Sequence, residues 1–220
     1  WQYSKGISSN PSTNDSACQS GDGLSGNEKD TTHIAAIDQD GNMVCATPSG
    51  GPLQSSVFFP ELGCTLSVRM EMFNFEENHP NVLVPGKRPR TTLVNYIVCE
   101  KGQPLMTVGC PGGDMQAQAS VQLILNTLVF GMNPQEAVEA PRFGTLSVAN
   151  SFFPHVYYPG RLAVEKGVSD IAVESLEELG HSVVRSEGCG AGATLARRDP
   201  DKGVLGASGD PRTESYAIGW

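Results

Sequence analysis

Basic residues are scarce in this chain. Its 220 residues include 15 lysines and arginines against 24 aspartates and glutamates, which gives a formal net charge of -9 at pH 7. Proteins that bind nucleic acid neutralise the phosphates with clustered cations. The only such clusters here are the short groups at 87–90 and 197–198. The composition therefore argues against nucleic acid as a partner.

Long apolar runs and paired-cysteine motifs are also missing. No uninterrupted run approaches the roughly 18 apolar residues of a transmembrane helix, so the sequence predicts no membrane-spanning segment. The six cysteines form no Cys-x-x-Cys motif and do not cluster with histidines, which argues against a zinc site and a disulfide framework. No glycine-rich phosphate-binding motif is present. We expect neither a metal nor an organic cofactor, and structural or surface roles for His33, His79, His155 and His181.

The distribution of apolar residues divides the chain into two parts. Residues 1–30 are mostly small and polar with little to bury, so we expect a flexible linker or cleavage segment. Residues 31–220 are predicted to form one domain rich in tight turns, because the chain contains 25 glycines and 15 prolines. The chain opens on Trp1 rather than a methionine or a signal peptide. This leaves the compartment open, with the cytoplasm favoured over the periplasm or secretion.

Turn signals predict two antiparallel strand pairs. The segments 33–37 and 43–47 flank Asp40-Gly41, a dipeptide that favours a tight hairpin turn. A second pair is expected over 93–99 and 105–109. Glycines and prolines between residues 47 and 90 predict loops with short strands.

Hydrophobic periodicity and capping residues predict three helices. The apolar segment 116–130 predicts a helix buried between layers. Asn133-Pro134 predicts the start of a short helix that ends near residue 141, and a third helix is expected over 169–180. The segments 193–196 and 204–207 are candidate closing strands. These elements predict a layered sandwich rather than a parallel Rossmann sheet.

Thr31 is the most informative residue, because it follows the polar segment and opens the first hairpin. A threonine hydroxyl is a poor nucleophile, but an N-terminal threonine can use its own α-amine, with a reference pKa of about 8, as general base. Cleavage between Asp30 and Thr31 would create that terminus, through attack of the same hydroxyl on the preceding carbonyl. Taken alone, Thr31-Thr32 is more typical of β-branched residues that begin a strand.

Two further groups could serve this chemistry. Gly112-Gly113 lies between a predicted strand and a predicted helix, where backbone N–H groups could form an oxyanion hole. Pairing across the first hairpin would bring Thr47 and Ser49 beside Thr31, where a hydroxyl could hold or polarise the nucleophile. An ordinary strand-to-helix turn and an ordinary Pro-Ser-Gly turn are the structural alternatives.

Six motifs follow one another along the chain: Asp30-Thr31-Thr32-His33, Asp40-Gly41-Asn42, Lys87-Arg88-Pro89, Pro111-Gly112-Gly113, Ala140-Pro141-Arg142 and Asp210-Pro211-Arg212. Together they resemble the catalytic small subunit of the γ-glutamyltransferase family of N-terminal nucleophile hydrolases, over essentially residues 31–220. The segments at 47–51 and 112–116 are closer to the amidohydrolase and acylase branch of that family. The resemblance implies an α+β fold, a four-layer αββα sandwich built by two fragments of one precursor.

The resemblance also implies roles for individual residues. Thr31 matches the N-terminal nucleophile, Ser49 the second hydroxyl that supports it, and Gly112 with Gly113 the oxyanion donors. Five positions are expected to contact a small amide substrate: Thr47, Arg69, Glu71, Thr91 and Thr92. The chain would be the smaller fragment, with a large subunit from the same precursor as its partner in a heterodimer or a dimer of heterodimers.

Departures from the family pattern concern the substrate pocket. Transpeptidases carry an Asn at the position of Gly51 and an acidic residue at that of Met72, and both grip the amino acid head of a γ-glutamyl donor. Arg69, at a neighbouring position, suits a carboxylate better than an ammonium group, although Glu71 could replace the acidic residue. Such changes in buried polar partners are large enough to alter the preferred substrate.

The sequence therefore predicts a self-processing threonine amidohydrolase that passes an acyl group from Thr31 mainly to water. Glutathione hydrolysis or γ-glutamyl transpeptidation is the alternative within the family, and a catalytically silent homologue with a binding role is the alternative outside it. The 30 residues before Thr31 indicate an uncleaved precursor or the end of the large subunit, rather than cleavage elsewhere.

Overall fold

The computed structural model describes residues 31–50 and 57–220. The expectations for residues 1–30, including Asp30, and for Gly51 lie outside these described residues. The strands are β1 (Ile34–Ile37), β2 (Met43–Ala46), β3 (Phe58–Phe59), β4 (Cys64–Thr65), β5 (Tyr96–Glu100), β6 (Gln103–Gly109), β7 (Phe143–Thr145), β8 (Arg161–Glu165), β9 (Ser182–Ser186), β10 (Thr194–Asp199) and β11 (Val204–Gly209). The helices are α1 (Met115–Leu128), α2 (Pro134–Glu139), α3 (Asp170–Glu178) and a 3-10 helix over Val68–Met72.

Both predicted strand pairs are confirmed as hairpins. Strands β1 and β2 pair antiparallel, and the loop between them spans 38–42, where the Asp38 carboxylate accepts from the Asn42 N–H at 2.8 Å. Strands β5 and β6 are joined by Lys101 and Gly102, whose φ angles of +49° and +79° are those of a primed hairpin turn. The second pair begins at Tyr96 rather than at residue 93.

A four-stranded antiparallel sheet in the order β11-β10-β6-β5 forms the centre of the fold. The β1–β2 hairpin packs on one face of this sheet, and α1 and α2 pack on the other. The apolar side chains between sheet and helices make the main core: Met106, Val108, Cys110, Ala119, Leu123, Ala137, Val138, Ala193 and Leu195. The described residues thus form a β-β-α arrangement of three layers.

A second, smaller sheet in the order β7-β8-β9 was not predicted from the sequence. Strands β8 and β9 run parallel, which requires a crossover connection, and α3 supplies it and packs on β9. Strand β7 contacts α1. This sheet therefore closes the α1 side of the molecule.

Helix α1 differs in one respect from the expectation of a helix buried between layers. Leu123 and Ala119 are buried on the sheet side, but Val121, Leu125, Leu128 and Val129 are exposed among the described residues. The expectation was wrong for this outer face because apolar composition does not tell which faces of a helix a single chain covers.

Candidate functional site

The first hairpin places Thr31 beside Ser49, as predicted. The Thr32 N–H donates to the Pro48 carbonyl at 3.1 Å, which extends the pairing of β1 and β2 beyond the strand ends. The Thr31 hydroxyl consequently lies 2.7 Å from the Ser49 hydroxyl, and both residues are half-buried. A hydroxyl can both donate and accept a hydrogen bond, so Ser49 can bond to the Thr31 oxygen whether or not that oxygen carries its proton.

Arg69 adds a positive charge to this pair. Its Nη2 donates a hydrogen bond to the Ser49 oxygen, and its guanidinium lies 5.6 Å from the centre of the Phe152 ring. The 3-10 helix presents it, with the Ser67 hydroxyl accepting from the Arg69 N–H at that helix start. A cation bonded to Ser49 favours negative charge at the neighbouring Thr31 oxygen. Arg69 was predicted as a substrate contact, and the structure brings it to the Thr31–Ser49 hydroxyl pair.

Thr47 faces the protein interior. Its hydroxyl lies 2.5 Å from the Asn95 Oδ1, which can only accept, so Thr47 donates to Asn95 and accepts from His33 Nδ1 at 2.7 Å. His33 therefore carries its proton on Nδ1. Burial lowers the pKa of His33 to about 4, because a charged imidazole would lose its hydration there. The role of Thr47 in substrate binding stays a prediction.

The glycine turn follows β6 and leads into α1. Gly112 and Gly113 have φ angles of +121° and +54°, in the region that favours glycine. The Met115 and Gln116 N–H groups donate to the Gly112 and Gly113 carbonyls at 3.0 and 3.2 Å. These bonds turn the chain sharply at the start of α1, where partial positive charge accumulates.

Phe152 connects the glycine turn to the Thr31–Ser49 hydroxyl pair. A Cβ added at Gly113 would lie 3.4 Å from the Phe152 ring, and the Arg69 guanidinium is also a neighbour of that ring. A continuous line of contacts therefore runs from Thr31 through Ser49, Arg69 and Phe152 to Gly113. The preceding residue, Ser151, anchors this segment through two hydrogen bonds to the Asp114 carboxylate, at 2.7 and 2.5 Å.

The remaining residues that were predicted to contact the substrate differ in exposure and in hydrogen bonding. Thr91 is exposed and its hydroxyl accepts from the Leu93 N–H at 3.1 Å. Thr92 is buried, and its hydroxyl has no hydrogen-bond partner among the residues that the structure describes. Glu71 is exposed, whereas Met72 is buried in the core. None of these observations tests their contact with a substrate.

Sequence reasoning missed three residues that support the site. Asn95 accepts a hydrogen bond from Thr47, which also contacts His33. Phe152 lies between Arg69 and Gly113. The Gln116 side chain accepts from the Val94 N–H at 3.2 Å. Asn95 carries the clearest signal, as a polar residue inside an apolar strand segment. Phe152 carries none, since nothing in its local sequence indicates a contact with Arg69.

The described ranges contain neither a metal-binding cluster nor a membrane-spanning helix. Residues 31–50 and 57–220 contain no group of three or more His, Cys, Asp or Glu side chains that could hold a metal ion. In the same ranges, no helix is both long and apolar enough to cross a bilayer. The cysteines of the described part are free thiols: Cys45, Cys64, Cys99, Cys110 and Cys189.

Comparison with known proteins gives consistent similarities. The family model described as Gamma-glutamyltranspeptidase matches residues 2–220. The glutathione hydrolase-like YwrD proenzyme of Bacillus subtilis is 33% identical over 193 residues, covering 86% of this chain and 36% of that protein. The acylase ACY 1 proenzyme of Pseudomonas sp. (strain SE83) is 32% identical over 191 residues, covering 84% of this chain and 32% of that protein.

Solved structures agree with these relatives. Cephalosporin acylase from Bacillus halodurans superimposes with a TM-score of 0.72 at 32% identity, covering 86% of this chain and 34% of that one. The chain spans about a third of the length of the curated relatives described above.

Proposed function

The chain belongs to the gamma-glutamyltranspeptidase family and has the α+β sandwich fold of N-terminal nucleophile hydrolases, and from this premise we propose that it is the catalytic region of a self-processing threonine amidohydrolase. The observation that carries the proposal is the 2.7 Å contact between the Thr31 and Ser49 hydroxyls, with Arg69 bonded to the second of them.

Maturation uses the Thr31 hydroxyl first. Its oxygen attacks the carbonyl carbon of Asp30, and the bond from that carbon to the Thr31 nitrogen breaks as the ester bond forms. Water then hydrolyses the ester, which releases the Asp30 carboxylate and leaves Thr31 with a free α-amine. This amine is the general base that the hydroxyl lacks in the intact chain.

Turnover repeats the same attack on an external amide. The α-amine takes the hydroxyl proton as the Thr31 oxygen bonds to the substrate carbonyl carbon, and it returns that proton to the leaving nitrogen. The N–H groups of Gly112 and Gly113 stabilise the oxyanion that forms in between. Water then releases the acyl group from Thr31, with Ser49 holding the threonine oxygen throughout.

Arg69 supports specificity for an acyl group that bears a carboxylate. Its guanidinium has five N–H donors, and one Nη2 bond to Ser49 leaves others for a substrate anion. The buried Met72 replaces the acidic residue that would grip an ammonium group. Glutathione hydrolysis or γ-glutamyl transfer remains the second candidate, favoured by the similarity to a glutathione hydrolase-like proenzyme and by the exposed carboxylate of Glu71.

A large subunit from the same precursor is the proposed partner. Ile34 and Val44, 56% and 59% exposed, form an apolar outer face on the first hairpin. The outer face of α1 is equally uncovered among the described residues. A fourth layer on the hairpin would complete the αββα order, in a heterodimer that could pair with a second one.

The test uses the complete precursor. The wild type, Thr31→Ala and the control Thr32→Ala are expressed, and intact masses and amidase activity are measured. We expect two fragments and activity from the wild type and from Thr32→Ala, but an unsplit and inactive Thr31→Ala. Cleavage of Thr31→Ala at the same bond would refute self-processing by this hydroxyl. An unsplit, inactive wild type would instead favour a silent binding homologue.

A second assay separates the two substrate classes. A γ-glutamyl anilide is compared with anilides of dicarboxylic acids that lack the amino group, each with and without a dipeptide acceptor. Faster release from the γ-glutamyl donor, stimulated by the acceptor, would favour transpeptidation over the hydrolysis proposed here.

A further inference from the structure

Four charged side chains meet in the interior, away from Thr31. Arg142 and Asp210 are both 0% exposed, and their Nη2 and Oδ2 atoms lie 2.5 Å apart. Arg212 contacts Asp210 at 3.0 Å and Glu165 at 2.5 Å, and Arg142 Nε lies 3.7 Å from Glu165. Burial acts to raise the pKa of Asp210, but the charge of Arg142 and hydrogen bonds from both arginines hold that pKa below its usual range. The cluster therefore contains two cations and two anions.

The two carboxylates of this cluster also hold a glycine-rich segment at 188–193. Glu165 accepts from the Cys189 N–H at 2.8 Å. Asp210 accepts from the N–H groups of Gly192 and Ala193 at 3.1 and 3.3 Å. Three backbone donors of this segment are thus held by charged acceptors, which give stronger hydrogen bonds than neutral ones.

The segment 188–193 lies directly against the glycine turn. A Cβ added at Gly192 would lie 2.9 Å from Pro111 Cγ, and one added at Gly112 would lie 3.6 Å from Gly190 Cα. A Cβ at Gly190 would lie 2.5 Å from the Cβ of Ala119, on α1. Gly112 therefore lies against the backbone of Gly190, and the Pro111 ring lies against Gly192, so we expect a shift of 188–193 to move Pro111 and Gly112 with it.

We propose that Arg142, Glu165, Asp210 and Arg212 are positioning residues for the reaction, which hold 188–193 in place and through it the N–H groups of the glycine turn. The proposal rests on the proposed function, in which Gly112 and Gly113 bind the oxyanion. Stabilisation of that anion requires donors placed before the reaction begins. A shift of the turn costs transition-state binding while leaving the amide substrate bound as before.

The alternative is that the cluster stabilises the fold and nothing else. The two roles differ in kinetics, because a structural role lowers the amount of folded enzyme and leaves the turnover of the folded fraction unchanged. A tetrahedral boronate adduct on Thr31 gives a second distinction, since it places an anionic oxygen where the substrate carbonyl develops charge. The affinity of the boronate therefore measures how well the oxyanion donors are placed.

The experiment uses the full-length, processed protein at a temperature well below its unfolding midpoint. Asp210→Asn removes one buried charge, and Arg212→Lys keeps the charge but loses the paired contacts with Glu165. Gly192→Ala changes none of the four charged side chains, and its added Cβ, at a φ of +83° that favours glycine, would press on Pro111. The matched control is Glu187→Gln, which breaks the Lys166–Glu187 pair, whose side chains are 71% and 83% exposed.

We expect kcat for the amide donor, per active site titrated, to fall about 10-fold or more in Arg212→Lys and Gly192→Ala. The KM should change less than about twofold, boronate affinity should fall in parallel with kcat, and Glu187→Gln should match the wild type. Unchanged kcat and boronate affinity in both Arg212→Lys and Gly192→Ala would overturn the proposal. With Thr31→Ala inactive in the same assay, unchanged kcat and boronate affinity would overturn the positioning role alone and leave the proposed function standing. An active Thr31→Ala would overturn both the proposed function and the positioning role.

Discussion

Gly109 leaves the space that the His33 ring occupies. A Cβ added at Gly109 would lie 2.7 Å from His33 Nδ1, and it would also overlap the Cε1 atom of the ring. Gly109 is the last residue of β6, on the face that the first hairpin covers. His33 is two residues from Thr31, so this close approach sets how the Thr31 end of the hairpin sits on the central sheet.

Gly109→Ala should displace the His33 ring and loosen the start of β1. Overpacking of this kind costs about 1 to 3 kcal/mol, and we expect a lower unfolding midpoint together with slower precursor cleavage. Differential scanning calorimetry and the rate of fragment appearance measure the two effects. Gly219→Ala is the control, because a Cβ there meets no atom within 4 Å. A Gly109→Ala protein with wild-type values for both would contradict this packing.

Acid should destabilise the folded protein through His33. The pKa of this residue is lowered from 6.5 to about 4 by burial, so between these values the unfolded chain binds a proton that the folded protein does not. Stability should therefore be complete above about pH 6.5, fall on the order of 3 kcal/mol towards pH 4, and change no further from this cause below it.

Urea unfolding midpoints between pH 4 and 7 measure this effect. His33→Gln should flatten that part of the profile, while His181→Gln, at an exposed position, should leave it unchanged. Equal slopes in wild type and His33→Gln would show that another group is responsible.

Loss of the Ser49 hydroxyl should slow acylation of Thr31. Ser49→Ala removes the atom that joins Thr31 to Arg69, and we expect kcat for an amide donor to fall about 10²-fold, the size typical for one stabilising donor. Arg69→Lys keeps the charge but loses the planar contact with Phe152, and it should give a smaller loss. Arg88→Lys, in an exposed loop, is the control. An acylation rate equal to that of the wild type, measured for Ser49→Ala by single-turnover kinetics, would rule out this role.

The cap of α2 should matter for stability alone. The Asn133 side chain accepts from the Gln135 and Glu136 N–H groups at 2.9 and 3.0 Å, and Glu136 bonds back to the Asn133 N–H. Asn133→Ala should cost about 1 kcal/mol of unfolding free energy. Because α2 packs on β10 and β11, away from Thr31, kcat should stay at the wild-type value. A fall in kcat without a fall in stability would contradict this separation.

The elements that sequence reasoning located correctly have local causes. Asp40-Gly41 indicated the first hairpin, Asn133-Pro134 indicated the start of α2, and Gly180 indicated the end of α3, where its φ is +93°. Each of these signals acts through hydrogen bonds or steric limits within about four residues. The pairing of Thr31 with Ser49 follows from the same hairpin, so this part of the site could be predicted.

The parts that sequence reasoning missed depend on distant segments. Arg142 and Asp210 are 68 positions apart, and the motifs that contain them gave no sign that they form a buried cluster behind the glycine turn. Phe152 meets Arg69 and Gly113 because the segment at 150–153 is anchored on Asp114 and on the Glu71 carbonyl. The parallel pairing of β8 with β9 likewise needs the α3 crossover to close.

By itself, the sequence predicted the first hairpin, the approach of Ser49 to Thr31 and the glycine turn, because turn residues and strand register act over short distances along the chain. Only the tertiary structure decided what surrounds them: Arg69 on Ser49, Phe152 between Arg69 and Gly113, and charged residues behind the turn. Such contacts form when several elements pack at once, and the close approach of neighbouring side chains to the backbone at Gly109, Gly190 and Gly192 selects one arrangement that no local pattern specifies.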